Sequence, residues 1–106
     1  MTGVLAGSDG YPGAAVLCTG AAVATHSGMV RYVGSAAAQV VSHWPEVVAA
    51  PGLDAAGRVQ AWVIGPGLGT GHAESATLRA VLATDLPVIV DADALTILSR
   101  HPELVR

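Results

Sequence analysis

Two carboxylates, Asp91 and Asp93, follow the apolar run at residues 87–90. In an extended chain, side chains two residues apart point to the same side. A carboxylate pair at a strand end can bind Mg²⁺ through water or orient a substrate hydroxyl. In the structural alternative, Asp93 caps the helix that starts at Ala94 and Asp91 bonds to loop amides. The pattern predicts capping for Asp93 and favours a functional role for Asp91.

A glycine-rich segment, residues 65–71 (GPGLGTG), separates a predicted strand from a predicted helix. Glycine lets a ligand approach the main chain closely, and exposed amides at a helix start bind anions. The segment is not a dinucleotide-binding fingerprint, because that motif needs glycine where Thr70 stands and because Pro66 has no N–H to donate. The spacing fits an anion-binding loop and a tight turn without a ligand equally well.

Two further patterns are weaker. Ser8, Asp91 and His101 follow the chain order of an α/β-hydrolase triad. Ala6 replaces the first glycine of that motif and the upstream strands are absent, so the order does not favour a hydrolase. Residues 72–74 (HAE) match the H-x-E of zinc deaminases, but no cysteine pair follows. The histidines therefore predict no metal site.

The composition excludes several classes of function. The 106 residues are 52% hydrophobic and 12% charged, with a net charge of -3 and a mean hydropathy of +0.54. A typical soluble domain has about 25% charged residues, so we expect a partner surface or a missing remainder of the fold. The five basic residues are all arginine and are scattered. This excludes a P-loop lysine, a Schiff base, a basic nucleic-acid surface and polybasic membrane attachment.

The single cysteine, Cys18, cannot form an internal disulfide, and its apolar neighbours predict a buried, unreactive thiol. No basic leader begins the chain, and no apolar run reaches the roughly 20 residues of a membrane span. We therefore expect a cytoplasmic protein.

Short apolar runs alternate with small-residue helical segments along the chain. The predicted strands are residues 4–6, 29–33, 46–50, 61–64 and 87–90, and the predicted helices are residues 12–27, 36–43, 73–84 and 94–100. Successive β–α units predict an α/β fold, a three-layer sandwich with a mainly parallel sheet. The first helix is apolar nearly all round and the last strand is continuously apolar. Both are therefore expected to be covered on more than one side.

Four segments carry one pattern in order: residues 7–15 (GSDGYPGAA), 27–30 (SGMV), 62–69 (WVIGPGLG) and 87–95 (PVIVDADAL). Together they resemble the ADP/ATP-dependent NAD(P)H-hydrate dehydratases, a family with a ribokinase-like fold, over essentially the whole chain. The resemblance implies repair of a hydrated nicotinamide cofactor. The family phosphorylates the 6-hydroxyl of NAD(P)H-hydrate at the expense of ADP or ATP, with Mg²⁺, and eliminates phosphate to restore NAD(P)H.

The resemblance also implies roles for particular residues. Gly13, Ala14 and Gly67 would contact the hydrated cofactor, and Asp91 would lie near the substrate and its phosphates. No residue is implied as a metal ligand. The small-molecule nucleotide substrate would be bound by a homo-oligomer of the full-length protein.

The chain departs from the family pattern at two positions and in extent. Residues 25–28 (THSG) stand where the family has Gly-Ala-Gly, and Thr96 stands where the family usually has Asn. The family's Thr-Pro-His loop, Lys-Gly turn and Gly-Thr-Gly-Asp anion hole are not found in residues 1–106. We therefore expect residues 1–106 to be a truncated, substrate-side half of a ribokinase-like domain. The catalytic Asp is expected beyond Arg106, and the chain alone is expected to be inactive.

Two alternatives remain open. Another ribokinase-like small-molecule kinase, such as a vitamin-precursor kinase, is disfavoured by the turn at residues 11–15 (YPGAA). A non-catalytic α/β module that binds a nucleotide-like ligand or a partner chain is favoured by the absence of lysine.

Overall fold

Five short strands form one all-parallel sheet in the computed structural model, which describes residues 1–25 and 28–105. The strands are β1 (Thr2–Leu5), β2 (Val30–Val33), β3 (Val48–Ala50), β4 (Ala61–Ile64) and β5 (Val88–Val90), in the order β3-β2-β1-β4-β5. The helices are α1 (Pro12–Ala24), α2 (Ala37–His43), α3 (His72–Leu82) and α4 (Asp93–Arg100), with 3-10 turns at Leu53–Ala55 and Pro102–Leu104. The predicted elements are all present, most with ends shifted by one to three residues.

Helices cover both faces of the sheet. Val4 on β1 packs with Tyr32 and Val40 under α1 and α2. The next residue, Leu5, points to the opposite face and packs with Leu78 and Ile97 from α3 and α4. This alternation divides the core into two apolar layers. The predicted three-layer α/β sandwich is confirmed.

Helix α1 starts at Pro12, whose fixed φ suits the first helical position. It ends at Ala24, and the predicted continuation through His26 to Ser27 lies outside the described residues. The Trp44 indole packs on the helix at Gly20, where a Cβ would lie 2.5 Å from the ring, and its Nε1 donates to a main-chain carbonyl of α1 at 3.0 Å. The absence of a side chain at position 20 thus lets α1 and α2 approach closely.

Tyr32 fixes the end of β1 to the start of α2. Its side chain is fully buried, and its hydroxyl donates to the Ala6 carbonyl at 2.7 Å while accepting the Ala36 N–H at 3.3 Å. Burial raises the pKa of Tyr32 above its ordinary value. The phenol therefore remains a neutral donor that holds the chain where it leaves β1.

The sheet face that α1 and α2 cover is less buried near β5 than expected. Ile89 on β5 is 63% exposed and Leu17 on α1 is 77% exposed, so the predicted burial of the last strand on both faces and of α1 on several sides is wrong. The reason is the strand order: β5 is the edge strand, and no helix covers its α1 side within the described residues. An apolar groove of about 420 Å³ remains there, lined partly by Cys18, Val63 and Ile89.

None of the helices in residues 1–25 and 28–105 combines the length and the hydropathy that crossing a membrane requires.

Candidate functional site

The carboxyl ends of three neighbouring strands meet at one edge of the sheet. The register aligns Leu5 of β1 with Ile64 of β4, and Ile64 with Val90 of β5. The hydrogen bonding between these strands continues one residue past their ends. Gly65 donates its N–H to the Leu5 carbonyl at 3.0 Å, and Asp91 donates its N–H to the Ile64 carbonyl at 3.1 Å. The loops that follow β1, β4 and β5, called the rim below, therefore emerge side by side.

Gly67 brings the loop after β4 against the start of α1. Its φ is +66°, and a Cβ at this position would lie 2.5 Å from the Ala14 Cβ and 3.3 Å from the Tyr11 Cβ. Beside it, Gly7 donates its N–H to the Pro66 carbonyl at 2.7 Å. Only glycine combines this backbone conformation with such close packing. Two of the predicted site residues, Ala14 and Gly67, are thus direct neighbours.

Gly13 lies in the first turn of α1 and is exposed. A Cβ added here would meet nothing within 4 Å, and the φ is not in the left-handed region. The residue that precedes the helix, Tyr11, makes no side-chain capping bond. Pro12 has no N–H and the Ala14 N–H donates to the Tyr11 carbonyl at 3.3 Å, so the Gly13 N–H is the first-turn amide that can meet a ligand. The fold does not require glycine at position 13, which leaves close approach of a ligand as a reason for it.

Asp91 lies against the loop after β4. A Cβ on Gly65, whose φ is +140°, would overlap the Asp91 carbonyl oxygen. The Asp91 side chain is exposed and is near enough to Cys18 of α1 to influence it. The pKa of the Cys18 thiol is raised mainly by burial and secondarily by the negative charge of Asp91. The Asp91 carboxylate thus adds negative charge between β5 and α1.

The predicted capping role of Asp93 is wrong. Ala92 occupies the capping position of α4 and makes no capping bond, whereas Asp93 is the first helical residue and its Oδ2 accepts the Gly69 N–H at 2.9 Å. Ala92 has φ +50° and ψ -121°, so the chain is not extended and does not place Asp91 and Asp93 on one side as expected. Nothing in the sequence marks an alanine for this conformation, which L-residues rarely adopt.

The structure does not bring the residues of the hydrolase-like order or of the H-x-E pattern together into a site. His101 is half-buried after α4, with its Nδ1 3.5 Å from the Glu103 carboxylate, and neither Ser8 nor Asp91 hydrogen-bonds to it. The H-x-E histidine, His72, lies with His101 on a groove between α3 and α4. No group of three or more His, Cys, Asp or Glu in the described ranges could hold a metal ion.

Comparison with known proteins places this chain in a family. Residues 2–106 match the family model for NAD(P)H-hydrate dehydratase. The chain belongs to the NAD(P)H-hydrate dehydratase family. It is 70% identical over 105 residues to the bifunctional NAD(P)H-hydrate repair enzyme Nnr of Mycobacterium tuberculosis. That match covers 99% of this chain and 22% of the relative, so the chain spans about a fifth of its length.

Solved structures agree on the fold of this family member. The ADP/ATP-dependent NAD(P)H-hydrate dehydratase of Bacillus subtilis, co-crystallised with ATP/Mg²⁺ and soaked with CoA, superposes with a TM-score of 0.76 at 31% identity. The match covers 89% of this chain and 38% of that one. A ribokinase-like superfamily protein from Enterococcus faecalis superposes with a TM-score of 0.83 at 24% identity, covering 95% and 40%. The predicted ribokinase-like fold and family resemblance are confirmed.

Proposed function

We propose that this chain supplies the hydrate-binding rim of an ADP/ATP-dependent NAD(P)H-hydrate dehydratase. The observation that carries the proposal is the packing of Gly67 on Ala14 beside the open Gly13, on the same sheet edge as Asp91. Family membership and the similarity to the B. subtilis dehydratase support the reaction class. Cytoplasmic location and homo-oligomeric assembly of the full-length protein belong to the same proposal.

The proposed reaction has two steps. A phosphoryl group passes from ADP or ATP to the 6-hydroxyl of the hydrated nicotinamide ring, which turns a poor leaving group into phosphate. The phosphate then departs with the C–O bonding electrons while a neighbouring ring carbon loses a proton, and the double bond of NAD(P)H is restored. Phosphoryl transfer depends chiefly on positioning and charge stabilisation. The task of the rim is therefore to hold the hydrate in one orientation.

Each rim residue has a separate task in this proposal. Gly13 lets the ring approach the main chain without a Cβ in the way, whereas the missing Cβ of Gly67 lets its loop pack against the start of α1. Ala14 supports Gly67 through their direct contact. The exposed Asp91 carboxylate accepts a hydrogen bond from a substrate hydroxyl and orients it.

The described residues do not by themselves make a site for Mg²⁺ with the nucleotide. They hold no group of three or more potential ligands, and the chain has no lysine to pair with a transferring phosphate. We therefore assign no step of phosphoryl transfer to a residue of this chain.

The activity assay follows the return of reduced-nicotinamide absorbance from NADH-hydrate or NADPH-hydrate. It uses protein from the whole reading frame that contains this chain, with ADP or ATP and Mg²⁺. We expect recovery that depends on a nucleotide. Phosphorylation of thiazole or pyrimidine alcohols without hydrate repair would instead establish a vitamin-precursor kinase.

Gly13→Ala separates binding from folding. Because a Cβ at position 13 meets open space within a helix, the substitution should leave stability unchanged or raise it by about 0.5–1 kcal/mol. If the hydrate lies against this turn, its KM should rise at least tenfold. Ser42→Ala is the control, since Ser42 is an exposed residue of α2 that lies outside the rim. Equal KM values for the wild type and Gly13→Ala would exclude Gly13 from the site.

A further inference from the structure

Asp93 joins two loops of the rim. Its Oδ2 accepts the Gly69 N–H at 2.9 Å across 24 residues of sequence, in a partly buried contact. A carboxylate is a strong acceptor, and its charge in the first turn of α4 is also favoured by the helix dipole. The other side-chain bond to the 65–71 loop within the described residues, from Arg100 Nη1 to the Thr70 carbonyl, is 3.5 Å long and exposed. Asp93 is thus the stronger of the two restraints.

The loop after β4 needs such a restraint. Gly65, Gly67 and Gly69 have φ angles of +140°, +66° and +100°. Glycines gain more conformational freedom than other residues when they are released. Contact between Gly67 and Ala14 requires the conformation observed. A loop released at Gly69 would keep only the bond from the Gly7 N–H to the Pro66 carbonyl on the β1 side, so the contact would be weakened.

The same carboxylate stands beside a strained residue. Ala92, with φ +50°, links Asp91 to Asp93, and the Asp91 carbonyl accepts the Ala94 N–H at 3.1 Å. Backbone strain of this kind persists only where the surroundings over-determine it. The bond to Gly69 fixes the backbone on the α4 side of Ala92. It thereby fixes the direction in which the chain continues from β5 at Asp91.

We propose that Asp93 is a positioning residue of the rim. Through Gly69 it keeps Gly67 against Ala14 and holds Asp91 at the sheet edge, without touching the reacting atoms itself. This inference rests on the proposed function, because the rim it positions is the one proposed to bind the hydrate.

The test compares Asp93→Ala, Asp93→Asn and the control Asp85→Ala in protein from the whole reading frame. Asp85 is an exposed carboxylate in the turn between α3 and β5. The first measurement is hydrogen–deuterium exchange in the peptides that cover residues 65–71 and 11–15. We expect Asp93→Ala to speed exchange in both peptides at least tenfold. Asp93→Asn, whose amide oxygen can accept the same bond, and the control should stay near wild type.

The second measurement is steady-state kinetics with NADPH-hydrate. We expect Asp93→Ala to raise KM at least tenfold with kcat within about twofold, and Asp93→Asn to recover most of the affinity. Faster exchange at residues 65–71 without a change at 11–15, or an unchanged KM, would overturn the inference. Wild-type protein without hydrate repair would refute the proposed function instead, and the exchange at residues 11–15 would still decide whether Asp93 positions the rim.

Discussion

At the scale of single residues, Asp91 and Cys18 interact although they are far apart in sequence. The negative charge of Asp91 adds to the effect of burial in raising the pKa of the Cys18 thiol. Because folding favours the neutral thiol, its contribution to stability is complete below the pH at which an unfolded cysteine ionises. It is lost as the pH rises through the folded pKa.

Asp91→Asn should therefore lower the pKa of Cys18. The reason is that the substitution removes a nearby charge that disfavours the thiolate. The midpoint of the alkylation rate against pH should move to lower pH, with Asp85→Asn leaving it in place. An unmoved midpoint in Asp91→Asn would show that its carboxylate points away from α1.

Thr19 is the one buried side chain in residues 1–25 and 28–105 whose oxygen has no hydrogen-bond partner. It is fully buried in α1. Thr19→Val should stabilise the protein by about 1–2 kcal/mol, because it removes a desolvated hydroxyl at nearly constant shape. Thr77→Val is the matched control, since the Thr77 hydroxyl donates to Ala73 at 3.0 Å and its loss should bring no gain. Urea unfolding of both variants measures the change in their free energy of unfolding. A gain for Thr77→Val equal to that for Thr19→Val would contradict the prediction.

At the scale of elements, the strained backbone of the rim lies at Ala92, directly before α4. Ala92→Gly should raise the free energy of unfolding by about 1 kcal/mol, because relief of the positive φ exceeds the entropy cost of glycine. Ala76→Gly in the exposed part of α3 should instead lower it by about 1 kcal/mol. Thermal unfolding measures both, and destabilisation by Ala92→Gly would mean that the alanine methyl group makes a needed contact.

The sequence predicted the elements better than the contacts between them. Apolar runs, Pro12 and the glycine segments located every strand and helix, and parallel strands require that their carboxyl ends share an edge. The bond from Asp93 to Gly69 could not be predicted, because it depends on the φ of Ala92, for which alanine gives no signal. The exposure of Ile89 was missed because a continuously apolar strand has the same pattern at an edge as at the centre.

At the scale of the whole molecule, two features should cause self-association of the 106-residue chain: the apolar groove beside α1 and the outer edge of β5, which pairs with no strand in residues 1–25 and 28–105. Ile89→Ser should shift sedimentation towards the monomer and cost little stability, because Ile89 is already 63% exposed. Leu95→Ser, at a position 48% exposed on α4, should leave association unchanged. A wild-type chain that is monomeric at all concentrations would contradict this expectation.

The two tryptophans are divided between the two apolar layers. Trp44 packs with the layer under α1 and α2, and Trp62 is buried in the layer under α3 and α4. The chain has no other tryptophan and no phenylalanine, so each half of the sandwich contains a single strong intrinsic fluorophore. Replacing one indole by tyrosine leaves tryptophan emission, excited at wavelengths that tyrosine does not absorb, from the opposite half alone. The two sides of the sheet can thus be followed independently during unfolding, without an added dye.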